Sequence, residues 1–100
     1  MRRYTTPTHI FTLPFDTTEI EKGRLIYAQG ETPVIVKELA ECQCDGQTLS
    51  VTLTQEETAK LDCKKVFVDI QAHILTTFGE SVVSKPVRVP VEKCFDTEVL

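Results

Sequence analysis

Residues 66–75 read VFVDIQAHIL, and their alternation limits what this chain can fold into. Val66, Val68, Ile70, Ala72 and Ile74 fall on one side of an extended chain, and Phe67, Asp69, Gln71, His73 and Leu75 on the other. One face is wholly apolar; the opposite face carries Asp, Gln and His at its centre. A helix turning every 3.6 residues would scatter these two sets around its circumference, whereas a period of two keeps them apart. The stretch therefore predicts a strand with one side on a core and the other largely in water. At roughly 3.3 Å per residue it extends about 33 Å, enough to span a small domain.

The rest of the chain supplies the other layers. Thr8 to Phe15 reads as a strand with His9, Phe11, Leu13 and Phe15 on one side, placed at an edge because Pro14 has no N–H to donate. Asp16 to Lys22 is a polar connection with room for one helical turn pinned by Ile20. Gly23–Gln29 and Val34–Leu39 read as two further strands around a turn at Gly30–Pro33. Cys42 to Thr54 predicts a hairpin turning at Asp45-Gly46, a pair suited to type I′ geometry. Thr54 and Glu57 match a capping box ahead of a two-turn helix over Gln55–Leu61. After the turn Thr77-Phe78-Gly79-Glu80, a final strand over Ser81–Glu92 carries Pro86 and Pro90, which again suits an edge. Six to eight short strands and one short helix near residues 55–61, with turn signals between them, predict a single antiparallel β-sandwich domain over residues 1–100.

Charge and composition remove several classes of function. Residues 16–62 hold ten acids against four bases, while residues 63–95 hold five bases against three acids. No basic stripe interleaved with aromatics exists to release counterions from a phosphate backbone, so nucleic acid is not an expected partner. No apolar run approaches the roughly 20 residues of a transmembrane helix, and the opening MRRYTTPTHIF lacks the apolar core of a signal peptide. The expectation is a protein made in a cytoplasm and kept off membranes, with a virion compatible as its final address. Of the four cysteines, Cys42 and Cys44 form only a C-x-C pair, and His9 and His73 lie in strand-like segments. Paired C-x2-C knuckles are missing, so no metal is expected. A Cys63–Cys94 disulfide would join two strand ends, but a cytoplasmic origin favours free thiols.

Catalytic chemistry is equally sparse. Asp69 and His73 share a strand face, yet an i to i+4 spacing of roughly 13 Å prevents a direct hydrogen bond. Gly23, Gly30, Gly46 and Gly79 are isolated and form no phosphate-cradling loop. Glu56-Glu57 and Asp16/Glu19 read as helix-start charges and solvated loops. No catalytic residue or cofactor is expected, and the chain reads as a non-enzyme. What remains is contact: Phe67, His73 and Leu75 on the polar side of the long strand, Phe78 on the following turn and Phe95 near the end are the candidate interface residues.

Three phrases carry a resemblance to a known family. LTQEETAKL leads into VFVDIQAHILTTFGESVVSKPVRVPV, and THIFTLPFD opens the domain. Together they resemble small proteins of Gram-positive bacteria and their prophages. Those proteins are in turn similar to the N-terminal, immunoglobulin-like β-sandwich of siphophage baseplate upper proteins. The resemblance implies an immunoglobulin-like fold and a structural role in a phage tail, baseplate or related mobile-element particle. It further implies partners among other tail or baseplate proteins, or further copies of the chain as a homo-oligomer, and carries over no catalytic residue. Cys42, Cys44, Cys63 and Cys94 depart from the pattern. The alternative reading is a soluble domain that binds a small ligand or carbohydrate on its loops, with Tyr4, Tyr27 and Phe78 as the aromatic stackers.

Overall fold

A computed structural model of the chain describes residues 1–93 and 99. Its strands are β1 (Thr8–Thr12), β2 (Ile20–Gln29), β3 (Thr32–Glu38), β4 (Gln43–Asp45), β5 (Thr48–Thr52), β6 (Phe67–Thr76), β7 (Ser81–Val83) and β8 (Val87–Pro90). The one α-helix among the described residues, α1, covers Gln55–Thr58. All strand pairings are antiparallel: β1-β5-β4 form one sheet, and β3-β2-β6 form the other, with β7 and β8 both on the far side of β6. The two sheets make an all-β sandwich, as the strand spacing predicts. No helix among the described residues is long and apolar enough to cross a membrane.

The alternation in β6 does what its period requires. Val68, Ile70 and Ile74 are buried, whereas Phe67 and His73 are exposed. Val66, expected on the inner face, lies outside the strand and is 62% exposed. From the larger sheet Leu25, Tyr27, Ile35, Val68 and Ile70 meet Leu49 and Val51 of the smaller one, and Leu53, Leu61 and Val91 complete the cluster. Each fully buried aliphatic side chain stabilises the fold by roughly 1.5–3 kcal/mol, so this inner layer dominates the energetics.

Element boundaries depart from the sequence reading where local bonding intervenes. β1 stops at Thr12, three residues early, because the Leu13 N–H turns to the Gln47 carbonyl and Pro14 has none to give. β2 begins at Ile20, before Gly23, since a bulge at Glu21 lets Ile20 pair with Thr76 on the buried side. β3 runs Thr32–Glu38, including Pro33. The hairpin turns at Gly46-Gln47 between paired Asp45 and Thr48. Gly46 alone has a left-handed φ, of 57°, which is the type II′ pattern and not the expected I′. The final strand is broken into β7 and β8 at Ser84. There the Ser84 hydroxyl accepts the Ala72 N–H, while the Ser84 N–H donates to the Ala72 carbonyl.

The capping box at Thr54 and Glu57 forms as its spacing requires: Thr54 Oγ1 accepts the Glu57 N–H, and Glu57 Oε1 accepts the Thr54 N–H. The helix is one turn, not two. Lys60 and Leu61 bond three residues back, and the Arg3 guanidinium takes the Ala59 carbonyl. Leu61 is thereby delivered to the core, in the role its position suggested.

Glu57 also accepts Lys37 Nζ at 2.9 Å, and Glu41 lies 3.4 Å from the same ammonium. Lys37 points inward from edge strand β3 and is buried, so this pairing is what permits a charge beside the core. Burial works against ionised Glu57, but bonds from the Thr54 amide and Lys37 outweigh it and hold the carboxyl below its ordinary 4.5. Its contribution is therefore complete above that value and is lost as pH falls through the lower folded-state value. Glu57→Ala removes half of the capping box and leaves Lys37 only the longer, more exposed contact to Glu41, and is expected to lower the unfolding free energy by about 1–3 kcal/mol in urea titrations at neutral pH. Lys37→Met, which removes the charge but keeps the stem, should cost clearly less.

Candidate functional site

The outer face of the larger sheet holds most of the side chains the sequence singled out. Directly opposed residues in an antiparallel pair share a face, so the strand register gives its composition. One row runs Glu38, Arg24, His73, Val83; the next runs Val36, Ile26, Gln71; a third runs Ala28, Asp69, Arg88. Lys22, Leu75 and Ser81 make a further row at one end. An open groove of about 650 Å³ lies here, with Lys22, Arg24, Leu39, His73, Leu75 and Ser81 among its lining.

Of the candidate interface residues, the structure brings His73 and Leu75 together in this groove. Phe67 lies on the same face at the other end of β6, eight residues or about 26 Å from Leu75. Phe78 is 65% exposed on the β6–β7 turn, which Gly79 closes with a φ of 86°. Phe95 lies outside the described residues, as does Cys94.

His73 Nε2 and Ser81 Oγ are 3.1 Å apart, both exposed on the outer face. Asp69, which shares a strand face with His73 but is too far along it to bond the ring, is paired with Arg88: Asp69 Oδ1 and Oδ2 accept from Arg88 Nε and Nη2 at 3.0 and 3.3 Å. That fork holds the Asp69 carboxyl below its ordinary range. The same guanidinium lies 5.1 Å from the centre of the Phe67 ring, and Phe67 is 45% exposed. An exposed aromatic beneath an arginine combines the side-chain types that protein interfaces favour. Chemically, this face offers apolar area, a guanidinium paired with Asp69, and further hydrogen-bonding groups.

Val36 (46% exposed), Ile26 and Val83 also belong to this face and were not singled out by sequence. Their signal was present: GRLIYAQ and VIVKEL are apolar on both sides, unlike a strand with one wet face. The Asp69–Arg88 pair left no such trace, because it depends on the register of β8 against β6.

Tyr27, proposed as a ring for ligand stacking, is 0% exposed and belongs to the core. The Tyr4 ring stays near the surface with the Arg3 guanidinium 5.0 Å from its centre. Among the described residues no group of three His, Cys, Asp or Glu side chains is arranged to hold a metal ion. The chain matches no family model, no curated protein and no solved structure.

Cys42, Cys44 and Cys63 are free thiols, Cys42 half-buried and the other two exposed. Cys42 Sγ donates to the Glu38 carbonyl at 3.5 Å. Burial, with neighbouring Cys44 and Glu41, pushes its thiol pKa up against the opposing pull of Lys37. Because thiolate is the reactive species, iodoacetamide should modify Cys44 and Cys63 well before Cys42. Mass spectrometry of a timed alkylation checks that order.

Proposed function

We propose that this chain is a non-enzymatic protein-contact module, working through the outer face of the five-stranded sheet. The observation that carries the reading is the half-exposed Phe67 ring beneath the Arg88 guanidinium, which is itself forked to Asp69, with Val36 and Val83 exposed on the same face. Solvent-facing strand positions ordinarily carry polar residues, and apolar side chains set among charged ones on one sheet face fit a surface that is covered in use. The setting, a phage tail, baseplate or related mobile-element particle, is supported by the sequence phrases alone. The partner is then another tail component or a further copy of the chain. Ligand binding on the loops is the weaker reading, since Tyr27 is committed to the interior.

Co-expression with the products of the genes that flank its own, followed by size-exclusion chromatography with light scattering, tests the proposal. The expected result is a stable homo-oligomer or a complex with one of those products. Val36→Asp/Phe67→Asp should abolish it while leaving Tm within a few degrees, because both positions are solvent-facing. A chain that stays monomeric and binds none of them, or a complex indifferent to both substitutions, overturns the assignment.

A further inference from the structure

We propose that His9 and Tyr27 form a proton-sensitive pin between the two sheets, so that acidification loosens edge strand β1 from the sheet it packs against. Tyr27 lies in β2, at the heart of the core, with its side chain wholly buried. His9 lies half-buried in β1, on the inner face of the smaller sheet. His9 Nδ1 and Tyr27 Oη are 2.8 Å apart, with ring centres separated by 5.6 Å.

Among the described residues neither group has another side-chain or backbone hydrogen-bond partner. The arrangement that satisfies both is therefore a neutral imidazole whose bare Nδ1 accepts the phenol proton. A second proton on the ring makes both nitrogens donors. The phenol must then turn its own hydrogen toward apolar neighbours, leaving a buried donor without an acceptor.

The surrounding charges do not rescue this state. The N-terminal ammonium opposes an imidazolium at His9, and it adds to burial in holding the ring below its ordinary 6.5. Cys42 and Glu57 face Tyr27. Glu57 is bonded to Lys37 and to the Thr54 amide, so its charge is already compensated.

β1 is the element placed to respond. It has five residues, pairs among the described residues with β5 alone and lies between Pro7 and Pro14. A group with a depressed folded-state pKa that gains its proton on unfolding stabilises the fold fully above its unfolded value. That contribution declines as pH falls below about 6.5 towards the folded value.

The only other histidine, His73, is exposed on the outer face and serves as an internal reference. NMR titration of both imidazoles, with thermal unfolding between about pH 7.5 and pH 5.5, tests the pin. The expected results are a His9 midpoint below 6.5, β1 amide shifts that follow it, and a Tm that falls with pH. His9→Phe/Tyr27→Phe, which replaces both polar partners by rings of similar shape, should abolish that fall, whereas His73→Gln should leave it unchanged. A His9 midpoint at or above 6.5, or an undiminished fall in the double variant, overturns the proposal. Should the double variant not fold, Tyr27→Phe alone decides: the His9 midpoint must move, and an unchanged midpoint rejects the phenol as its partner.

Discussion

The antiparallel pairing of β2 with β6 is the constraint on which the rest of the molecule depends. Its register joins Ile20 to Thr76 and Ala28 to Asp69, so two ten-residue strands run side by side for almost their full lengths. Because side-chain period is two, this register puts Leu25, Tyr27, Ile70 and Ile74 on one side together. A slip by one residue would carry His73 and Asp69 inward and drive the buried aliphatics into water. β3 then attaches through a tight turn, β7 and β8 complete the opposite side of β6, and the three-stranded sheet closes over the inner face. The two strands are separated by 37 intervening residues, so a long loop must be closed before their contacts form.

Polar groups within this framework are placed where a partner waits. Gln29, wholly buried at the end of β2, donates to the Asp62 carbonyl and accepts the Asp62 N–H. It ties the large sheet to the loop after α1. Thr58 exchanges hydrogen bonds with the backbone of Thr5, and Lys37 meets Glu57. Among the described residues no buried side-chain nitrogen or oxygen lacks a partner. Such pairings add little net energy when made, yet each forbids alternative packings that would orphan a buried dipole.

Features controlled by near neighbours in the chain were legible from sequence. The period of β6, the capping box at Thr54 and Glu57, the anchoring of Leu61 and the edge positions of β1 and β8 all depend on short-range geometry. The less legible features depend on register. Nothing local announces that Ser84 interrupts the last strand to bond Ala72, or that Glu21 is the extra residue that brings Ile20 into the core. Tyr27 counted as an available aromatic stacker until the register of β2 against β6 put it on the inner side with Leu25 and Ile70. The candidate contact face was half visible. His73, Leu75 and Phe67 belong to one alternating strand, but Arg88, Val36 and Ile26 join them only when three other strands are laid beside it.

Both margins of the larger sheet are blunted. β3 has Pro33, a register shift beside Tyr27 and Ala28, and Lys37 turned inward; β7 and β8 are parted at Ser84, with Pro86 and Pro90 flanking what remains. Each of these devices obstructs the addition of a foreign strand. Along this sheet, therefore, neither margin offers crowded copies an open seam on which cross-β ribbons could grow.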